Sequence, residues 1–290
     1  MNTSPWILAA RPKTLSAAVA PVIVATALAL RDRGDIPWLY AGLALGGALF
    51  IQIATNYIND ALDFRKGADT TARLGPMRVT QAGLLSYEAV MRGAYVSLLL
   101  AVLCGVPLIM RGGWPILAIG VTSIAAAYAY TGGPYPLAYH GLGEIFVMVF
   151  FGIVAVGGTY WVLTLQYTRD AFWCGVAMGA LAVVILAINN LRDLPTDRES
   201  GKRTVAVRIG ERGARAEVVL FAVLAYAMVA LLAMTRGDHS LWLAFLSAPL
   251  AAALLWRVYR CRGSSLNRCL AMAGALQWAF AIFFAIGAVV

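Results

Sequence analysis

The stretch "LFIQIATNYINDALDFRKGAD", from Leu49 to Asp69, joins an apolar segment to a group of acids. The apolar residues begin near position 38, so they are numerous enough for a membrane-spanning helix, which needs about 20 residues. The acids, Asp60, Asp63 and Asp69, follow where such a helix would leave the hydrocarbon. Because acids at a membrane edge are costly and usually functional, the stretch predicts a membrane helix with a site at its end.

The composition extends this prediction to the whole chain. Of the 290 residues, 61% are hydrophobic and 13% are charged, whereas soluble domains carry about 25% charged residues. We therefore predict an all-α, polytopic membrane bundle, with residues 1–290 as a single transmembrane domain. The net charge of +9 is attributed to membrane topology, and no nucleic-acid partner is expected. The four cysteines include no CxxC pair, so neither a disulfide nor a metal role is expected for them.

Nine apolar stretches are candidates for spanning helices in the lipid bilayer. They lie near residues 15–30, 38–59, 89–110, 114–131, 142–165, 171–191, 217–235, 240–256 and 269–290. Pro21 in the first stretch predicts a kink or a tilt. With nine spans, 18 of the 23 Lys and Arg residues fall on one side. This bias places that side, with the N-terminus, in the cytoplasm and the C-terminus outside, as in a multi-pass protein of the cell inner membrane.

A second polar stretch, "NNLRDLPTDRESGKRT" from Asn189 to Thr204, resembles the first. It ends the sixth predicted helix as the first stretch ends the second, so both face the cytoplasm and two parallel four-helix halves are suggested. Asp193 and Asp197 are four residues apart, as are Asn59 and Asp63, and such residues share one face of a helix. Pro195 predicts that the helix breaks near Leu194, which would place Asp197 in a loop.

The chemistry of the two stretches is that of a diphosphate–Mg²⁺ site. Carboxylate and amide oxygens suit Mg²⁺, which binds few carboxylates together with substrate phosphates. Basic residues follow each motif, and the chain has only two histidines and no GxxxxGK[ST] loop. Two alternatives remain at this point: the charges are merely solvated helix ends, or they line the ion path of a transporter. The transporter hypothesis predicts acids near mid-membrane and inverted repeats.

The motifs resemble those of a known family, the UbiA superfamily of membrane prenyltransferases. N-D-x-x-D at Asn59–Asp63 and D-x-x-x-D at Asp193–Asp197 carry this resemblance. Longer stretches are similar to the MenA branch, which prenylates 1,4-dihydroxy-2-naphthoate in menaquinone synthesis. They are "RPKTL" (Arg11–Leu15), "GPMRVTQAGLLS" (Gly75–Ser86), "YTGGPYPLAYHGLGE" (Tyr130–Glu144) and "NNLRDLPTDRESGKRTVAVRIG" (Asn189–Gly210). The general first motif has an acid where this chain has Gly67, which leaves the role of Asp69 open.

The resemblance implies that Mg²⁺ bridges the two motifs to a polyprenyl diphosphate, and that an aromatic acid accepts the prenyl group. It implies the metal ligands Asn59, Asp60, Asp63, Asp193 and Asp197. It implies catalytic roles for Asp63, Asp193, Lys66 and Arg203. It implies substrate binding by Arg11, Lys13, Asn56, Tyr130, Asn189, Arg198 and Lys202. Alternative acceptors are 1,4-dihydroxy-6-naphthoate, 4-hydroxybenzoate, homogentisate and a sugar phosphate.

The predicted topology is testable with reporter fusions. Alkaline phosphatase fused after Val290 is expected to be active and green fluorescent protein fused there to be dark, because the last helix should end outside. Fusions after Leu84, in the predicted loop between the second and third helices, are the control and should give the reverse pattern. Cytoplasmic behaviour of the Val290 fusions would mean that one span has been miscounted.

Overall fold

A computed structural model describes residues 4–67, 74–75 and 77–290, and all its regular structure in these ranges is helical. Asp69 and Arg73 lie outside the described residues. In chain order the helices are α1 (Pro5–Ala10), α2 (Ser16–Arg33), α3 (Trp38–Arg65), α4 (Tyr87–Gly112), α5 (Trp114–Ala129), α6 (Gly143–Thr164), α7 (Arg169–Glu199), α8 (Val205–Arg236), α9 (His239–Arg260) and α10 (Leu266–Val289). A π-helical insert lies within α6 at Val149–Val154, and α9 begins as a 3₁₀-helix at His239–Ser247.

The predicted helical membrane bundle is confirmed, and α2 to α10 correspond to the nine predicted stretches. In the described residues, seven helices have the length and apolar character to cross a membrane. A further span consists of the N-terminal segment Pro5–Thr14 and α2, which meet at a bend of 50°. The remaining helix, α5, has only 16 residues. Pro21 lies inside α2, so the sharp bend occurs before this proline and not at it.

Two helices extend well beyond their apolar stretches. The first Asn/Asp motif lies wholly within α3, which continues to Arg65. The prediction that Pro195 breaks the sixth span is wrong, because α7 continues through it to Glu199 and Asp197 is helical. Residues beyond the helix hold this last turn in place, since the Lys202 N–H donates to the Asp197 carbonyl at 2.9 Å. Both motifs therefore present helical faces.

The core centres on α7, most of whose residues are buried. This helix packs closely against α8, while α3 packs against α4 and α10 against α2. The contact between α7 and α6 depends on small residues. A Cβ atom at Gly152 would lie 2.3 Å from the Gly175 carbonyl oxygen and 2.5 Å from the Gly179 Cα atom. The π-helical insert and these glycines together allow the two backbones to touch.

At the end of the bundle opposite the two motifs, ion pairs join several helix ends. Arg236 on α8 contacts Asp32 on α2 at 2.8 Å and Asp170 on α7 at 2.5 Å. The Tyr160 hydroxyl donates to Asp32 at 2.7 Å, and Arg31 pairs with Asp238. Because each of these groups is partly shielded from solvent, the contacts are less screened than surface ion pairs. They fix the ends of α2, α6, α7 and α8 relative to one another.

The close contact of α6 and α7 predicts the effect of adding a single methyl group. Gly152→Ala is expected to lower the free energy of unfolding by about 1–3 kcal/mol, because the new Cβ would overlap the α7 backbone. The measurement is the thermal unfolding of the detergent-solubilised protein. Gly120→Ala on α5 is the matched control, because no heavy atom lies within 4 Å of its added Cβ. Equal thermal stability of the two variants would contradict the described packing.

Candidate active site

One cavity of about 740 Å³ opens between the helices at the end where both motifs lie. From the first motif it is lined by Asn56, Asn59 and Asp63, and from the second by Asn189, Asp193 and Asp197. All six belong to the predicted site residues. The two motifs are far apart in the sequence, and the packing of α3 and α7 in one bundle brings them to a common wall.

Asp63 is held by two partners from outside its own helix. Arg78 donates from Nη2 to its Oδ2 at 2.9 Å, and the Tyr139 hydroxyl donates to Oδ1 at 3.3 Å. The side chains of Asp63 and Arg78 are both largely buried. A buried charge is stable only when it is paired, so Arg78 compensates Asp63 and fixes the orientation of its carboxylate.

Asp193 has an analogous partner within its own helix. The preceding residue, Arg192, donates to both carboxylate oxygens, from Nε at 2.8 Å and from Nη2 at 2.5 Å. The same guanidinium donates to the Asn189 side chain at 2.8 Å and to the Asn267 side chain on α10 at 2.9 Å. Asn267 in turn donates to the Leu74 carbonyl oxygen at 3.0 Å. Arg192, only 1% exposed, therefore connects the second motif to α10 and to the loop after the first motif.

The remaining polar residues of the first motif have structural partners. Asp60 accepts hydrogen bonds from the backbone N–H groups of Val79 and Thr80, at 3.3 and 3.0 Å. It is not among the described residues that line the cavity. Asn59 accepts from the Thr131 hydroxyl at 2.5 Å. Asp60 thus shapes the loop that carries Arg78, whereas Asn59 joins α3 to the loop between α5 and α6.

Asn56 links α3 to the N-terminal segment. Its amide donates to the Ala10 carbonyl at 2.8 Å and to the Thr14 hydroxyl at 3.2 Å. These bonds hold the bend that carries Arg11 and Lys13, both of which line the cavity. Arg11 has a φ of 51°, in the left-handed region that non-glycine residues rarely adopt. The bend therefore directs two cations toward the motifs.

The other predicted cations divide into two groups. Lys202 lines the cavity, and its Nζ lies 3.9 Å from an Asp197 oxygen. Lys66 is exposed and is not among the lining residues, but it donates to the Thr131 carbonyl oxygen at 2.5 Å. The ammonium groups of Lys66 and Lys202 lie 5.0 and 4.7 Å from the centre of the Tyr139 ring. Desolvation lowers the pKa of Lys66, and the charge of Lys202 adds to this effect while that of Asp63 opposes it.

The second group comprises Arg198 and Arg203, whose side chains are exposed and lie outside the described cavity lining. The backbone of Arg203 has a structural role, because its N–H donates to the Tyr139 carbonyl oxygen at 2.9 Å. This bond joins the residues after the second motif to the loop between α5 and α6. The structure therefore brings Lys202 to the predicted site but leaves these two guanidinium groups at the surface.

The loop between α5 and α6, residues 130–142, closes one side of the site. Arg208 donates to the His140 carbonyl oxygen at 2.7 Å, adding to the Arg203 and Lys66 contacts described above. Tyr130 begins the loop and lines the cavity. Burial raises the pKa of the Tyr130 phenol, and the charges of Glu144, Asp63 and Asp197 raise it further, so the hydroxyl keeps its proton. Tyr130 is thus a neutral donor among carboxylates of three helices.

Farther into the bundle the cavity becomes apolar. Its walls there include Leu108, Ile116, Ile119, Phe146, Phe150 and Val154. Two polar features interrupt this region. Glu144 accepts from Asn190 at 2.9 Å, and the Gln52 carbonyl oxygen is buried without a hydrogen-bond partner among the described residues. The cavity thus joins a charged mouth to a long apolar interior with few polar positions.

The sequence analysis missed several residues of the site. Arg78 and Tyr139 lie within "GPMRVTQAGLLS" and "YTGGPYPLAYHGLGE", both quoted for the family resemblance, and Arg192 lies within the second motif. A buried acid requires a nearby partner, so the adjacent Arg192 was a detectable signal. Nothing in the local sequence pointed to Asn267.

The donor set is compatible with Mg²⁺. The cavity collects carboxylate and amide oxygens, the ligands that this cation prefers. Within the described residues, no group of three or more His, Cys, Asp or Glu side chains is arranged to hold a metal ion. Mg²⁺ takes only one or two carboxylates and completes its coordination with water and substrate phosphate.

Comparison with known proteins identifies the family. Residues 18–287 match the model of the UbiA prenyltransferase family. The chain belongs to this family. It is 38% identical over 246 residues to 1,4-dihydroxy-2-naphthoate octaprenyltransferase of Mycobacterium tuberculosis, covering 85% of this chain and 83% of the relative. The Haemophilus influenzae protein of the same name is 33% identical, covering 97% of this chain and 94% of the relative. The family resemblance predicted from the motifs is confirmed.

Solved UbiA structures share the fold. A UbiA homologue from Archaeoglobus fulgidus bound to GPP and Mg²⁺ superposes with a TM-score of 0.70 and 15% identity, covering 99% of each chain. The apo structure of a UbiA homologue from Aeropyrum pernix K1 gives a TM-score of 0.73 with 14% identity, covering 92% of this chain and 96% of that one. The protein is thus a multi-span membrane prenyltransferase of the UbiA type.

Proposed function

We propose that this UbiA-family enzyme transfers a polyprenyl group from polyprenyl diphosphate to 1,4-dihydroxy-2-naphthoate. Diphosphate and CO₂ leave, and the product is a demethylmenaquinol of menaquinone biosynthesis. The observation that carries the proposal is the convergence of two Asn/Asp motifs and several cations at the mouth of an apolar cavity. The similarity to 1,4-dihydroxy-2-naphthoate octaprenyltransferases supports the identity of the acceptor.

The charged mouth is suited to the diphosphate of the donor. Arg11, Lys13 and Lys202 line it from two sides of the motifs, and Arg78 lies beside Asp63. A diphosphate is attracted to such cations, and fixed charges in a site of low polarity stabilise the leaving group more strongly than water does. Arg78 and Arg192 keep Asp63 and Asp193 in place, so the carboxylates need little reorganisation when substrate binds.

Mg²⁺ is part of the proposal. Asp63, Asp193 and Asp197, with the amide oxygens of Asn59 and Asn189, are the residues that would hold it with the diphosphate. When bound, the cation neutralises charge on the diphosphate and favours its departure. Asp60 is assigned a supporting role, because it is not among the described residues that line the cavity and its carboxylate holds the backbone of Val79 and Thr80.

The apolar interior is suited to the isoprenoid tail. Helices α4, α5 and α6 contribute mainly aliphatic and aromatic side chains to its wall. Burial of such a chain is favourable by roughly 0.8 kcal/mol per methylene group. The same walls exclude water from the allylic carbon, so that the ring of the acceptor, rather than water, attacks it. Transport is disfavoured because the motif acids lie at the ends of α3 and α7.

The orientation follows from the basic residues. We propose that the motif end of the bundle faces the cytoplasm and that the protein resides in the cell inner membrane. Both motifs and the cations of the cavity mouth fall on the side that holds 18 of the 23 Lys and Arg residues. Water-soluble acceptor and Mg²⁺ would then reach the site from the cytoplasm, while the donor enters from the lipid.

Activity is expected to require a divalent cation and both motif carboxylates. Asp63→Asn and Asp193→Asn should each lower kcat by at least about 100-fold, because the neutral amide no longer supports the charge of a metal–diphosphate complex. Each substitution also removes the counter-charge of a buried arginine, so the thermal stability is expected to fall, and kcat is therefore compared per amount of folded protein. Turnover is measured by mass spectrometry of the prenylated product, with and without excess chelator.

Glu199→Gln is the matched control for these variants, because Glu199 also ends α7 but is exposed and lies outside the cavity. It should retain wild-type activity. Full turnover in chelator, or in both aspartate variants, would exclude the proposed metal site.

The fate of the acceptor carboxylate tests the identity of the substrate. Carboxyl-labelled 1,4-dihydroxy-2-naphthoate is expected to release one labelled CO₂ per prenylated product, because attack at the carbon that bears the carboxylate makes its loss the route back to an aromatic ring. Trapped CO₂ and product are counted in the same reaction. Label retained in the product would instead favour another acceptor, such as 1,4-dihydroxy-6-naphthoate or 4-hydroxybenzoate.

A further inference from the structure

Glu144 and Asn190 form a hydrogen-bonded pair on the cavity wall. The Asn190 amide donates to Glu144 Oε1 at 2.9 Å, joining the start of α6 to the beginning of the second motif. Both side chains line the cavity and both are more than nine-tenths buried, at 7% and 8% exposure. Neither residue belongs to the set proposed above to hold metal or diphosphate.

Glu144 differs from the motif acids in the kind of partner that it has. Among the described residues, no Lys or Arg forms an ion pair with Glu144, in contrast to Asp63, Asp193 and Asp197. A carboxyl group in such a position repels the diphosphate and attracts hydrogen-bond donors. Only the Asn190 amide, the backbone at the start of α6 and the more distant charge of Arg208 offset its burial, so its place on a cavity wall indicates a ligand group that adds to this compensation.

The surroundings of the pair are suited to a flat aromatic ring. The rings of Phe146 and Phe150 are stacked, with centroids 5.7 Å apart, and both line the cavity on the same helix as Glu144. The Tyr130 hydroxyl lies beside the start of this helix, 3.3 Å from the Cβ position of Gly143. A ring with hydroxyl substituents can therefore meet aromatic faces and an acceptor oxygen in one place.

We propose that Glu144, oriented by Asn190, is the subsite for a ring hydroxyl of the aromatic acceptor. The carboxyl group accepts a hydrogen bond from the hydroxyl, which fixes the ring and increases the electron density at the carbon that attacks the prenyl group. The proposal rests on the prenyltransferase function proposed above and adds the recognition of the acceptor. Asn190 acts as a positioning residue, because it holds the carboxyl through Oε1.

Glu144→Gln is the decisive variant. Its amide oxygen retains the bond from Asn190, so its NH₂ group replaces the second carboxyl oxygen and an acceptor becomes a donor. Binding of two ligands is compared by equilibrium dialysis in detergent without donor: 1,4-dihydroxy-2-naphthoate, kept reduced, and 2-naphthoate, which lacks both hydroxyls. The variant is expected to weaken binding of the dihydroxy acid at least about tenfold and to leave binding of 2-naphthoate within twofold.

Kinetics provide a second readout. Glu144→Gln should raise the KM for the acceptor and leave the KM for polyprenyl diphosphate unchanged. Asn190→Ala should produce the same selective rise in the acceptor KM, to a smaller degree. It serves as the second variant if thermal unfolding shows that Glu144→Gln is not folded. Glu88→Gln, at an exposed acid on α4, is the matched control and should behave like the wild type.

The outcomes separate this proposal from the function proposed above. Equal weakening of both ligands, or no weakening of either, would overturn the subsite. If the wild type binds and prenylates a different hydroxylated acid, the proposed acceptor is wrong. The subsite is then supported if Glu144→Gln loses discrimination between that acid and its analogue without hydroxyls, and it is overturned if discrimination persists.

Discussion

The site depends on the pairing of its buried motif carboxylates, which need partners inside an apolar bundle. Asp63 has Arg78, Asp193 has Arg192, and Asp60 has two backbone N–H groups. These partners are also connections, because Arg78 fixes the loop after α3 and Arg192 reaches α10 through Asn267. Compensation of charge and assembly of the cavity mouth are thus achieved by the same contacts. Loss of one arginine would leave an unpaired buried acid, which is costly.

Much of the fold could be predicted because the length and apolar composition of membrane helices are visible in the sequence. The two motifs were also accessible, since residues four apart share a helical face. Side-chain pairs between residues that are distant in the sequence could not be predicted from helical spacing. Arg78 lies 15 residues from Asp63, and Asn267 lies 75 residues from Arg192. Exposed Arg198 and Arg203 follow the motif as closely as Lys202 does, so proximity in sequence could not distinguish them. The prediction at Pro195 was wrong because the low helix propensity of proline takes no account of the contacts that hold the last turn of α7.

Two kinds of residue occupy different parts of the cavity. Cations and motif carboxylates occupy its mouth, whereas Glu144, Asn190 and two stacked phenylalanines lie on the wall of α6 and α7. Such a division allows an anionic leaving group and a hydroxylated ring to bind side by side without competing for the same partners. The glycines that bring α6 against α7 serve this arrangement, since they set the distance between Glu144 and the second motif.

The short helix α5 has a consequence for the surrounding bilayer. Its 16 residues rise about 24 Å, whereas the hydrocarbon core is about 30 Å thick. One face of α5 lines the cavity, and most of its other residues are exposed on the outside of the bundle. A span this short is accommodated by thinning of the adjacent bilayer, by flanking side chains that reach the interface, or by association with other helices. Where the bilayer thins, the headgroups beside this wall of the cavity lie nearer the membrane mid-plane than those beside the longer helices.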